Sequence, residues 1–232
     1  MKRNILLGVL TLLAGSLVAA EPEAKDDITA AAKKLGEQGN YSWKTSFDAG
    51  NFSGSTEGKT DKDGLVWLSM SFGDNSTEAV LQGSKGAVKP ADQEWQSLSE
   101  LASSTDAGPR RFLLRRLQNY KAPAAEAADL AGKAKALKKD GEVYSSDLSE
   151  AGAKELLAFG RRGNNAAEPK NAKGSVKFWT KDGMVSKYEV KIQGTVNFNG
   201  EDRDIDRTTT TEIKDVGTTK VTVPEAAKSK IS

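Results

Sequence analysis

The stretch "KYEVKIQGTVNFNG", residues 187–200, decides the fold. Tyr188, Val190, Ile192, Gly194, Val196 and Phe198 alternate with Lys187, Glu189, Lys191, Gln193, Thr195 and Asn197. An extended chain points successive side chains to opposite faces, so this is a long strand with one dry and one wet face. Gly194 leaves a gap in the dry row, which predicts a bend or a close approach there. The dry face must cover either a packed core or a cavity for a ligand.

Neighbouring segments repeat the pattern. Tyr41, Trp43, Thr45 and Phe47 alternate with polar residues, and "DAGNFSGS" (48–55) turns the chain into a polar strand ending near Asp61. "LVWLSMSF" (65–72) puts Val66, Leu68, Met70 and Phe72 on one face and Leu65 and Trp67 on the other, and a fourth strand is predicted over Glu78 to Ser84. Short strands joined by Gly, Asn and Asp turns define an antiparallel meander. The tripeptide Lys-Asp-Gly recurs at 62–64, 139–141 and 181–183, each time before a strand, as recurring turn chemistry.

Around residue 90 the period becomes helical. "PADQEWQSLSELAS" (90–103) carries Trp95, Leu98, Leu101 and Ala102 at helical spacing, with Asp92 as cap. "DAGPRRFLLRRLQNY" (106–120) predicts a second helix with Pro109 in its first turn and Phe112, Leu113, Leu117 and Tyr120 as its apolar stripe. "PAAEAADLAGKAKALKKDG" extends helical character to Gly141. "GEVYSSDL" then reads as a strand, "SEAGAKELLAFGRRG" as a serine-capped helix, and "GRRGNNAAEPKNAKGS" (160–175) as a long loop. The remainder reads as strands: "SVKFWT", the opening stretch, "DIDRTTTTEIKDV" and "TKVTVP". This order predicts an α+β fold, a single large curved antiparallel sheet with the helices gathered in a layer on one side of it.

The ends and the composition restrict function. Lys2 and Arg3, an uncharged apolar run from Ile5 to Leu17, and small residues before Glu21 have the layout of a signal peptide over residues 1–20. The apolar run is shorter than the roughly 20 residues of a spanning helix, although an uncleaved anchor is the alternative. Residues 21–39 form a polar segment with the composition of a short helix, residues 40–225 a single domain, and residues 226–232 a tail. Removing Lys2 and Arg3 from the 34 basic residues leaves 32, equal to the 32 acidic ones, which speaks against a nucleic-acid partner. There is no cysteine, hence no disulfide and no lipid-modified cysteine after the leader. There is no histidine, which removes the commonest general base and metal ligand. No phosphate loop appears, and no catalytic residue, metal or cofactor is expected.

Two clusters invite chemistry. Asp202, Asp204 and Asp206 have the spacing of a calcium loop, but Arg207 and Ile213 stand where that loop needs glycine and glutamate. The acids, with Arg203 and Arg207, read as an exposed strand face that pairs charges across strands. Arg110, Arg111, Arg115 and Arg116 flank the stripe of the second helix. They read as solvated arginines around a buried stripe, with a membrane-surface helix or an acidic partner as the alternative.

The layout resembles the LolA-like and LppX/LprG-like carriers, and exported bacterial proteins similar to them. "GSVKFWTKDGMVSKYEVKIQG" is similar to that group's strand, turn and long alternating strand, and "TTTTEIKDVGTTKVTVPEAA" to its last hairpin. The resemblance spans roughly residues 40–225. It implies a half-open barrel that holds acyl chains or lipid-modified proteins between sheet and helices during transport across the envelope. The expected partner is therefore a hydrophobic ligand or lipidated protein, with transient membrane or envelope-protein contact, and the expected protein is a periplasmic or secreted monomer. A non-catalytic scaffold with the same fold and a filled core is the alternative. No functional residue carries over from the carriers, so the candidate ligand-binding set rests on face geometry: Leu68, Met70, Phe72, Phe112, Leu113, Leu117, Phe178, Tyr188, Val190, Ile192, Val196 and Phe198.

Overall fold

The computed structural model describes residues 21–50, 52–103, 108–158, 168–198 and 200–231. The leader expected over residues 1–20 lies outside them. All eleven described strands join one antiparallel sheet in the order β6-β5-β4-β3-β2-β1-β11-β10-β9-β8-β7. Its first half is the meander β1 (Tyr41–Asp48), β2 (Ser53–Thr60), β3 (Leu65–Phe72), β4 (Asn75–Gln82), β5 (Lys85–Pro90) and β6 (Gln96–Ser97). Its second half is β7 (Lys138–Asp140), β8 (Val143–Asp147), β9 (Lys170–Lys181), β10 (Met184–Phe198) and β11 (Glu201–Lys214). The halves meet where β1 pairs with β11, Ser42 opposite Lys214 and Asp48 opposite Thr208. β6 and β7 remain as separate edges, so the sheet is an open α+β architecture and not a closed barrel.

Residues 187–198 of the opening stretch lie in β10, between β9 and β11. Tyr188, Ile192 and Val196 are buried on its dry face, and Gly194 marks a close approach. A Cβ at Gly194 would lie 2.6 Å from Leu157 Cδ1 and 2.9 Å from the Lys170 carbonyl oxygen. Here the pairing of β10 with β9 also shifts register, between Gln193 and Thr195.

Five helices cover one face or its ends. α1 (Glu21–Gly36) packs on α4 (Pro123–Lys133) and β10, with Ile28 and Leu35 fully buried. It is held by the Tyr144 hydroxyl donating to Asp27 Oδ2 at 2.9 Å and by Lys34 Nζ donating to the Asp182 carbonyl at 2.8 Å. α5 (Glu150–Leu157) lies on β9 and β10, capped by Ser149, whose Oγ accepts from the Gly152 amide at 3.1 Å as the sequence predicts. α3 (Pro109–Gln118) makes its main backbone contact with α2 (Leu98–Ser103) rather than with a strand.

Several boundaries differ from the sequence expectation. The segment from 85 to 97 forms β5 and β6, and the helix begins only at Leu98. Asp92 sits in a left-handed turn, φ 58°, and Ser97 is the cap. The Ser97 Oγ accepts from the Glu100 amide at 3.1 Å while Glu100 Oε2 accepts from the Ser97 amide at 2.7 Å, a capping box. α4 stops at Lys133, and the lysine-rich run after it becomes edge strand β7. β9 starts at Lys170, inside the expected loop, whose residues 160–167 are outside the described ones. "TKVTVP" is an irregular segment, and the residues after it form α6 (Glu225–Ile231). α6 packs on the opposite face of the sheet, burying Ala227 and Ile231 against Val80, Ala87 and Trp95, with Leu65 and Trp67 alongside. That is why β3 is apolar on both faces.

Candidate functional site

The helix-covered face can be read in rows across the strands, since residues paired in register share a face. One row runs Met70, Thr56, Thr45, Thr211, Tyr188, Phe178, Tyr144. The next runs Phe72, Gly54, Phe47, Thr209, Val190, Val176. Both rows are apolar at their flanks; the first has Thr56, Thr45 and Thr211 in its middle and the second Thr209. Thr45 Oγ1 and Thr211 Oγ1 share a hydrogen bond of 2.8 Å. The run "TTTT" thus supplies a polar floor as well as strand propensity.

The structure divides the candidate ligand-binding residues into three groups. Leu68, Met70, Phe178, Tyr188, Ile192 and Val196 are each at most 2 % exposed, and Leu117 is buried with them in one cluster. Phe72, Leu113 and Val190 are half-buried against that cluster. Phe112, expected in the buried stripe of α3, is 49 % exposed. α3 presents Leu113 and Leu117 inward at positions i and i+4, Tyr120 joins them just past its end, and Phe112 falls beside that line. Phe198 ends β10, and its side chain lies outside the described ones.

A rim of aromatic rings borders the half-buried region. Phe52, 57 % exposed, stacks on Phe72 with centroids 6.4 Å apart, and Phe47 touches both at 5.5 and 5.9 Å. Arg116 lies over the Phe72 ring at 5.2 Å, and its Nη2 donates to Thr56 Oγ1 at 3.2 Å. Expected in water, this guanidinium instead turns inward, and Phe112 sits one helical turn before it on α3.

A second arginine corrects the reading of β11. Asp202, Asp204 and Asp206 do face outward and pair there: Lys170 Nζ is 2.9 Å from Asp202, Lys191 Nζ 3.7 Å from Asp206, and Thr195 Oγ1 donates to Asp204 at 2.7 Å. Arg203 is exposed near the end of the strand. Arg207, however, has the parity of Ile205, Thr209 and Thr211 and lies opposite Ile192, on the inner face. Its Nε is buried and has no hydrogen-bond partner among the described residues, as is true of Arg115 Nε and Tyr120 Oη.

Glu126 of α4 completes this polar interior. The Tyr188 hydroxyl donates to its Oε2 at 2.5 Å. Burial holds the Glu126 carboxyl above its ordinary range, against the opposing Tyr188 hydrogen bond. Burial likewise lowers the pKa of Arg116, with the like charge of Arg207 adding to the effect and Glu126 opposing it. Arg207 is lowered by burial too, again opposed by Glu126. Burial raises the Tyr120 and Tyr188 hydroxyls well above the usual phenol value. Sequence reading missed Arg116, Glu126 and Arg207 as members of the site. Only Arg207 carried a signal, its shared parity with Ile205.

Polar hollows lie elsewhere. One of about 620 Å³ is lined by Lys135, Asp147, Glu150, Lys173, Lys191 and Gln193, and one of about 300 Å³ by Asn40, Asp61, Lys62 and Lys220 among others. No group of three or more His, Cys, Asp or Glu side chains among the described residues could hold a metal ion.

An open antiparallel sheet with helices on its inner face is an α+β fold of the LppX type. The solved structure of the Mycobacterium tuberculosis lipoprotein LppX matches 88 % of this chain and 100 % of its own, at 12 % identity and a TM-score of 0.50. LprF from Mycobacterium bovis matches 89 % of this chain and 98 % of its own, at 11 % identity and a TM-score of 0.46. MucB in complex with MucA(peri) matches 82 % of this chain at 11 % identity and a TM-score of 0.20. The fold assignment rests on LppX. No family model matches the chain, and no curated protein matches it in sequence.

Proposed function

We propose that this is an exported, non-catalytic binding protein of the bacterial envelope, holding a lipid, an acyl chain or a lipidated partner between sheet and helices. The observation that carries this reading is the incomplete cover of the inner face. Between sheet and helices, Phe47, Phe72, Val190 and Leu113 stay half-buried and Phe52 and Phe112 are exposed, within a fold of the LppX type. Exposed apolar side chains grouped at one rim are characteristic of a binding surface. An acyl chain laid along that rim would gain about 0.8 kcal/mol per methylene buried. The candidate set then narrows to Phe72, Phe112, Leu113 and Val190, with Leu117 and the deeper residues as the floor. The leader assigned to residues 1–20 and the absence of cysteine fit a chain freed into the periplasm or secreted.

The near-complete burial of Leu68, Met70, Phe178, Tyr188, Ile192 and Val196 favours a second reading, a scaffold with a filled core. Native mass spectrometry of protein isolated from its own envelope separates the two. A co-purifying acyl species lost on Val190→Asp substitution supports the carrier; only ligand-free protein supports the scaffold.

A further inference from the structure

We propose that Arg116 and Arg207 form a binding site for the oxyanion of an amphiphile, a carboxylate or phosphate whose chain lies along Phe47, Phe52 and Phe72. The inference rests on the carrier reading and specifies its ligand. Arg116 of α3 reaches Thr56 and Phe72 on the inner face of the sheet, and Arg207 of β11 lies on that same face opposite Ile192. Neither forms an ion pair among the described residues. Arg207 leaves its buried Nε without a partner, and Arg116 has a single side-chain hydrogen bond, to a neutral threonine.

The nearby carboxylate is a poor counter-ion. Glu126 already accepts from the Tyr188 hydroxyl, and its burial disfavours the charged form. Two positive groups therefore share a partly dry interior in which Glu126 is the carboxylate that acts on both. Such an arrangement is unfavourable in the empty protein, because each guanidinium loses water without gaining an ion-pair partner. An oxyanion reverses the balance: a guanidinium presents several N–H donors in a plane that fits a carboxylate or phosphate by paired hydrogen bonds.

The surroundings define the rest of the ligand. Arg116 sits on the face of Phe72, and Phe72 continues through Phe52 to the surface. A head group held by the arginines thus has an apolar path outward for its chain. A neutral amphiphile would fill that path and leave both charges unmatched.

Calorimetric titration of the purified protein with decyl phosphate, decanol and inorganic phosphate tests this. Decyl phosphate should bind at least about tenfold more tightly than decanol, as expected for charge-assisted hydrogen bonds, and inorganic phosphate far more weakly than decyl phosphate. Arg207→Gln and Arg116→Gln should each bring the two amphiphiles close to equal affinity, while Arg207→Lys, which keeps the charge, should retain part of the preference. The ligand-free Arg207→Gln protein should unfold at a higher temperature than the wild type, which a merely structural arginine would not produce. Equal binding of decanol and decyl phosphate overturns the arginine site and leaves the carrier reading standing. Inorganic phosphate binding as tightly as decyl phosphate overturns the amphiphile. Failure of both amphiphiles overturns the carrier reading and the site with it.

Discussion

Whether a side chain on a strand faces the interior depends on parity, and Arg207 shows how composition can conceal it. Its neighbours Asp204 and Asp206 suggest a charged surface, yet it shares a face with Ile205, Thr209 and Thr211. The aromatic alternations in β1 and β10 were legible because every dry position except Thr45 and Gly194 carries a large apolar residue. The glycines of β2 were not, because their role lies in the next strand. Trp43 lies across Gly58 and Phe47 across Gly54, so a Cβ at Gly58 would come within 2.0 Å of the Trp43 ring. Gly58→Ala should therefore destabilise the protein by about 1–3 kcal/mol in urea denaturation, the usual cost of overpacking. Phe178, fully buried between Tyr144 and Tyr188, provides the opposite case. Phe178→Ala should cost about 3–5 kcal/mol in the same measurement.

Elements were legible where a local signal sets their ends. Pro109 and Ser149 start α3 and α5 as the sequence indicates. The run from 85 to 97 was not, because Trp95 and Leu98 have helical spacing although β5 precedes Trp95 and β6 separates it from Leu98. The reason is tertiary: Trp95 is needed under α6, on the opposite face from Leu98. α6 in turn is tied to the start of α2 by Lys230 Nζ, 2.8 Å from Glu100 Oε1. Lys230, with the Ser97 amide and hydroxyl, holds the Glu100 carboxyl down at about 2 instead of 4.5. A depressed carboxyl stabilises the folded state above its unfolded value, and that contribution fades as pH falls from 4.5 through about 2. Trp95 fluorescence should shift to the red over this window as α6 loosens. In Lys230→Met the same shift should begin at higher pH; an unchanged profile would remove the tie between α6 and α2.

At the scale of the whole molecule, the sequence order of strands and helices was enough to identify one open sheet under a helical layer. It did not reveal α6 on the far face or the charged interior, since both depend on which segments meet across the fold. Glu126 is the titrating signature of that interior. Its folded pKa is raised by burial, so its stabilising contribution is full below 4.5 and is lost as pH rises through the raised value. Glu126→Gln should remove this part of the fall in unfolding free energy above pH 4.5, measured by denaturation across pH. The pairing of β1 with β11 has a mechanical consequence. Ser42 lies opposite Lys214, so once α1 and α6 peel away, the two chain ends leave the seam at the same end of its ladder. Tension applied between the ends would then load the rungs one after another instead of all together. The molecule should open at low force like a zip, Ser42 first and Asp48 last, although a packed core protects it against heat.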